Sequence, residues 1–137
     1  MKPMRIHHIG VVLPTRQAAQ NIMDLLGMEV DYEGYVKAYS ADLVFTKYGP
    51  RECPIEFIIP REGVLKEYNN GKGGIAHVAF EVEDVAAVGR EMEEKGLGML
   101  EQEPVQGTDD IIVNFLRPKY SEGILFEFVQ TVAPIKR

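Results

Sequence analysis

A chain of 137 residues is long enough for one globular domain with a hydrophobic core. Its net charge of −6 disfavours nucleic acid and anionic membranes as main partners, because meeting their phosphates requires a basic surplus. The single cysteine, Cys53, excludes an internal disulfide, and no apolar run reaches the length of a membrane span, so we expect a cytoplasmic protein.

Hydrophobic periodicity in the first half of the chain predicts one strand, one helix and three further strands. The helix should begin after Thr15, a favourable N-cap residue, and end before Gly27, a residue type that often follows a helix. Its apolar stripe includes Leu25 and Leu26. The predicted elements are a strand over 5–13, a helix over 16–26 and strands over 28–32, 35–46 and 54–59.

A polar, glycine-rich segment separates this half from a second half with the same order of elements. Asp84 precedes the second helix and Gly96 ends it, as Gly27 ends the first. The predicted elements are strands over 75–82, 97–101, 111–116 and 123–130 and a helix up to about residue 95. We therefore divide the chain into module 1 over about 4–62, a linker over 63–73 and module 2 over about 74–132.

Equivalent residues of the two halves are separated by a nearly constant number of positions. His77 follows His8 by 69 residues, and Glu127 follows Glu56 by 71. The halves therefore form a tandem βαβββ repeat. Because each half has one helix for one face of its sheet, the other face must be covered by the other half or enclose something.

Alternation along the strands places four metal-ligating side chains on the face that no helix covers: His8, Glu56, His77 and Glu127. Taken singly, each residue would more often be structural or solvated, and we expect that of His7, which alternation places on the helix side or at an edge. Two enclosed carboxylates, however, repel each other unless a cation neutralises them. Two imidazoles and two carboxylates suit a divalent ion, namely Ni, Co, Mn, Fe or Zn, with positions open for water or substrate.

These paired motifs resemble the vicinal oxygen chelate superfamily, which includes glyoxalase I, extradiol dioxygenases and methylmalonyl-CoA epimerase. The resemblance rests on the His-containing first strands, the Glu-containing last strands and the helix–glycine junctions, and covers residues 4 to 131 or so. It implies an α+β fold in which two tandem βαβββ modules form an open, cleft-enclosing mixed β-sheet barrel. It also implies that the four residues above are the metal ligands.

Within the superfamily, segments 74–85, 114–119 and 123–128 look most like methylmalonyl-CoA epimerases. This resemblance implies a metal-dependent epimerase or isomerase that stabilises the enolate of an acyl thioester, with Glu127 as both ligand and base. The epimerases use a second acid on the third strand, where this chain has Asp42. If Leu43 and Phe45 face the helix, Asp42 faces the cleft and is the second catalytic candidate.

Three other functions are weighed against this one. Glu56 favours a glyoxalase I-type lactoylglutathione lyase, because the epimerases usually carry Gln at that position. A ring-cleaving dioxygenase needs only three protein ligands, and non-catalytic binding members typically lack the metal set, so both are less favoured. The expected partner is a small acyl-CoA or thiol conjugate. Because members of the superfamily often dimerise, the resemblance also implies a homodimer.

Overall fold

The structure is a computed structural model that describes residues 2–108 and 110–132. Both halves of the chain show the predicted βαβββ order. The strands and helices are β1 (Arg5–Val12), α1 (Arg16–Leu26), β2 (Val30–Val36), β3 (Ala41–Thr46), β4 (Ile55–Pro60), β5 (Gly74–Glu81), α2 (Val85–Glu94), β6 (Val105–Gln106), β7 (Ile111–Phe115) and β8 (Phe126–Thr131). In the described part of the chain, neither helix is both long and apolar enough to cross a lipid bilayer.

The chain forms two compact units. The first unit comprises His8–Ala76, and the second combines residues 2–7 with the described residues between 77 and 132. The sheet of the first unit has the strand order β2-β3-β4-β1, in which β1 and β4 are parallel and the other neighbours are antiparallel. Helix α1 has the predicted bounds: the Thr15 hydroxyl accepts a hydrogen bond from the Ala18 amide at 3.0 Å, and Gly27 is left-handed with φ 69°.

The sheet of the first unit carries apolar residues on both faces. Ala19 and Met23 of α1 are buried against one face, whereas Leu25 and Leu26 are 81% and 60% exposed. The predicted stripe is therefore wrong at these two leucines. Leu25 is about 200° around the helix from the buried Met23, whereas Leu26 lies on the side of Ala19 and Met23 but is the last residue of the helix and is exposed there. The helix-facing cluster also includes Leu13, Val44, Phe57 and Ile59, and the cluster on the other face contains Val12, Val36, Ala41, Leu43, Phe45 and Ile58.

The boundary between β2 and β3 differs from the prediction of one strand over 35–46. Strand β2 continues to Val36, a 3₁₀ turn covers Lys37–Tyr39, and Ser40 has a left-handed φ of 50° before β3 begins. The sequence gives no glycine or proline at this turn, so the break carried no local signal.

The predicted linker folds compactly within the first unit. Its 3₁₀ turn, Val64–Glu67, places Leu65 against the core face that lies opposite α1. Gly73 adopts φ 76°, and a β-carbon there would collide with the carbonyl oxygen of Val12. This position therefore requires glycine for both conformation and space.

In the second unit the strand order is β1-β5-β8-β7-β6, where only the first residues of β1 belong to the unit. The Met4 amide donates to the Glu81 carbonyl at 2.9 Å, and the Arg5 guanidinium donates to the Glu81 carboxylate at 2.9 Å. Asp84 caps α2 by accepting from the Ala87 amide at 3.1 Å. The core beneath α2 contains Val82, Val85, Val88, Leu116 and Phe128.

The edge of this sheet differs from the predicted strand over 97–101. Only an isolated bridge joins Met99 to Leu116, and regular pairing begins at Val105, opposite Val113. Between these two pairings, the five residues 100–104 of the edge lie opposite only residues 114 and 115, which leaves a bulge at 102–104. The buried Asn114 side chain spans the gap: its oxygen accepts from the Glu101 amide and its nitrogen donates to the Glu101 carbonyl, both at 3.0 Å.

Candidate functional site

The first unit brings His8 and Glu56 together. His8 is 1% exposed, and its Nε2 lies 3.2 Å from Oε1 of the buried Glu56. Strands β1 and β4 run parallel with Gly10 opposite Glu56, so the carboxylate sits diagonally from His8 on one face of the sheet. Glycine at position 10 adds no side chain between them.

The second unit repeats this arrangement with His77 and Glu127. The Nε2 of His77 lies 3.2 Å from Oε1 of Glu127, and both side chains are buried. In the parallel pairing of β5 with β8, the small Ala79 is opposite Glu127, as Gly10 is opposite Glu56 in the first unit. The four predicted ligand residues therefore form two His–Glu pairs with the same register, distance and burial.

Each pair has an aromatic neighbour that the analysis of the sequence missed. Phe45 meets the His8 ring edge-on, with ring centroids 5.3 Å apart and an interplanar angle of 89°. Phe115 meets His77 in the same way, at 5.6 Å and 85°. The repeat spacing could have related these two residues, because Phe115 follows Phe45 by 70 residues, between the spacings of 69 and 71 at the flanking strands.

The donor chemistry of each unit suits a divalent metal ion. An imidazole nitrogen and a carboxylate oxygen are ligands that Mn, Fe, Co, Ni and Zn accept in proteins. Burial of a carboxylate without a cation or sufficient hydrogen bonds is costly, and Glu56 and Glu127 are 6% exposed each. The residues present therefore fit the cation that the vicinal oxygen chelate resemblance implies.

The structure turns Asp42 away from the histidine and glutamate of its unit. Leu43 and Phe45 lie in the core cluster opposite the helix, and Val44 lies beneath α1. Asp42 shares the face of Val44 by strand alternation, so the prediction that it faces the cleft is wrong. The phase of alternation could not be read because β3 is apolar on both faces.

Asp42 is instead engaged at the surface by Arg61. The Arg61 guanidinium donates to both Asp42 oxygens at 3.0 and 2.8 Å and lies over the Tyr35 ring at 4.1 Å from its centroid. These hydrogen bonds are the main cause that lowers the pKa of Asp42; desolvation opposes them, and the positive charge of Arg61 adds a smaller lowering effect. Since its side chain is 44% exposed, the geometry is that of a surface ion pair.

Comparison with known proteins decides the family. Residues 7–115 match the family model described as the Glyoxalase/Bleomycin resistance protein/Dioxygenase superfamily. The chain belongs to this superfamily. The resemblance of the paired motifs to vicinal oxygen chelate proteins is thereby confirmed.

Within the superfamily, the similar proteins include methylmalonyl-CoA epimerases. The mitochondrial methylmalonyl-CoA epimerase of Mus musculus is 28% identical over 131 residues, which cover 92% of this chain and 72% of the relative. The ethylmalonyl-CoA/methylmalonyl-CoA epimerase of Cereibacter sphaeroides is 30% identical over 132 residues, covering 92% of this chain and 97% of the relative.

A solved structure of this kind shares the fold. A variant of Streptomyces coelicolor methylmalonyl-CoA epimerase, in complex with 2-nitronate-propionyl-CoA, superposes with a TM-score of 0.85 at 26% identity, covering 96% of this chain and all of the other. The predicted α+β fold class with tandem βαβββ modules is therefore confirmed, and the similar proteins support an enzyme.

Proposed function

We propose that this chain is a metal-dependent epimerase that acts on an acyl thioester of the methylmalonyl-CoA type. The observation that carries the proposal is the pair of buried His–Glu contacts, formed in the same register by both repeats. The epimerases of similar sequence, and the acyl-CoA ligand named for the Streptomyces structure, support the choice of substrate class.

We expect His8, Glu56, His77 and Glu127 to hold one divalent cation, with the metal drawn from Ni, Co, Mn, Fe or Zn. When bound, the cation would stabilise the negative charge that develops on the thioester carbonyl oxygen. The four ligands would leave coordination positions for two neighbouring substrate oxygens.

Glu127 is the proposed base. It would take the proton from the carbon between the thioester carbonyl and the free carboxylate, leaving an enolate. Inversion requires that a proton return to the opposite face of that carbon. Because Asp42 is bound to Arg61 on the helix-facing side of its sheet, we assign this step to Glu56, the carboxylate at the repeat-related position. To do so, Glu56 would leave the cation, take a proton from water and deliver it to that face, and Glu127 would likewise leave the cation to act as base and release its proton to solvent.

The apolar core face around His8 supports such chemistry. Leu43, Phe45 and Ile58 are buried in one cluster on that face, and they limit access of water to the imidazole and its carboxylate. Exclusion of water strengthens electrostatic stabilisation and protects an enolate from stray protonation.

Entry of solvent deuterium into methylmalonyl-CoA tests the proposal. We expect exchange at the carbon between the two carbonyl groups, its loss with a chelator, and its recovery when a divalent metal is restored. Glu127→Gln should abolish exchange, whereas Glu81→Gln, which changes a carboxylate at the end of β5 in the same unit, should not. Turnover of the hemithioacetal of methylglyoxal and glutathione without exchange would contradict the proposal in favour of a lyase.

Metal stoichiometry tests whether the two pairs act as one centre. We expect one ion per chain, with binding lost in either His8→Ala or His77→Ala. Two ions per chain, each lost with its own histidine, would contradict a shared centre, and wild-type protein that binds no divalent metal would contradict metal dependence.

A further inference from the structure

We propose that Phe45 and Phe115 are positioning residues that hold the imidazoles of His8 and His77 in the orientation needed to bind metal. The inference rests on the metal centre of the proposed function. The two side chains reach the site from β3 and β7, which are not the strands of the proposed metal ligands.

The geometry of the two contacts is nearly the same. The centroid distances are 5.3 and 5.6 Å and the interplanar angles are 89° and 85°, within the range preferred by edge-to-face aromatic pairs. An aromatic edge against an imidazole restricts rotation of that ring about its Cβ–Cγ bond. The same restriction therefore applies to both histidines.

The strand register explains why each ring reaches its histidine. Phe45 is directly opposite Glu56 in the antiparallel pairing of β3 with β4, and Phe115 is directly opposite Glu127 in that of β7 with β8. Residues directly opposite one another place their side chains on the same face of a sheet. Each phenylalanine thus stands beside a carboxylate as well as an imidazole.

Two other phenylalanines, on the strands that carry the glutamates, provide a contrast. Phe57 follows Glu56 and Phe128 follows Glu127, so their side chains point to the helix-facing side. They are as deeply buried as Phe45 and Phe115, at 2% and 5% exposed against 6% and 7%. They share the burial of the positioning pair and lack its contact with a histidine.

Groups that orient a ligand without binding the metal themselves commonly change metal affinity by about 10- to 100-fold when removed. Removal of an aromatic edge would free the imidazole to rotate and admit water beside it. We therefore expect each ring to contribute about tenfold to metal affinity, at the lower end of that range.

Calorimetric titration of metal-free protein with Co²⁺ alone tests the inference. Phe45→Leu and Phe115→Leu should each weaken Co²⁺ binding about tenfold and alter the visible absorption of the bound cobalt. Phe57→Leu and Phe128→Leu should lower the free energy of unfolding about as much as Phe45→Leu and Phe115→Leu do. They should leave the Co²⁺ affinity within about threefold of wild type.

The outcomes separate the inference from the proposed function. Equal weakening by all four variants, or by none, overturns the positioning role and leaves the metal centre intact. Wild-type protein that binds no Co²⁺ overturns both. Should a leucine variant not fold, Phe45→Met and Phe115→Met also remove the ring but have a flexible side chain that fills irregular gaps, and unchanged affinity in both would overturn the inference.

Discussion

Replacement of Asn114 by alanine should destabilise the second unit through its edge. The Asn114 carboxamide is 2% exposed and exchanges two hydrogen bonds of 3.0 Å with the backbone of Glu101. Each bond contributes about 1 kcal/mol, and the loss rises when partly buried backbone groups are left unsatisfied. We therefore expect Asn114→Ala to lower the free energy of unfolding by about 2–3 kcal/mol.

Urea unfolding, combined with hydrogen exchange at the Glu101 amide, measures this effect. Gln106→Ala is the matched control: its carboxamide also makes two backbone hydrogen bonds, to the Thr108 and Ile111 carbonyls, but Gln106 is exposed. The control should cost less than about 1 kcal/mol, because solvent replaces the lost bonds. A cost for Asn114→Ala no larger than that of the control, with Glu101 still protected from exchange, would refute the reasoning.

Three further substitutions have defined outcomes. Gly73→Ala should lower the free energy of unfolding by roughly several kcal/mol, because the added β-carbon would force the backbone to shift. Gly71 is also left-handed, but a β-carbon there would have its nearest atom 3.9 Å away, so Gly71→Ala should cost only about 1 kcal/mol; thermal unfolding measures both. Arg61→Leu should raise the pKa of Asp42 toward the ordinary aspartate value of 3.8, as measured by carboxyl NMR; in the wild type the ion pair stabilises the fold above that pH, and the contribution is lost as pH falls through the lowered pKa. Removal of the helix cap by Thr15→Ala should cost about 1 kcal/mol in urea unfolding, and an unchanged midpoint would argue against the cap.

The repeat made much of the fold readable from the sequence. The bounds of α1, the caps at Thr15 and Asp84 and the two His–Glu pairs all depend on local signals or on period-two alternation. Where one face of a strand is helix-covered and the other carries a single polar residue, the pattern fixes which side chains share a face. The candidate ligands of each unit could therefore be predicted.

The remaining features depend on tertiary contacts that leave no periodic trace. The sequence did not show which face of β3 carries Asp42, because apolar residues on both faces of this strand leave no alternation of polar and apolar side chains. The bulge before β6 is stabilised by the side chain of Asn114, thirteen residues further along the chain than Glu101. The left-handed Ser40 lies at a turn without glycine or proline, so it resembled the middle of a strand.

The matching registers of the two parallel pairs have a consequence for how such a chain can change over time. A slip of one residue between β1 and β4, or between β5 and β8, would rotate the glutamate to the helix side and separate it from its histidine. Insertions are tolerable only in the connections, and the repeat spacing grows from 69 to 71 between the first and last strands of a half. Diverging copies of the repeat can therefore lengthen their loops, whereas the paired strands must keep the same length and register.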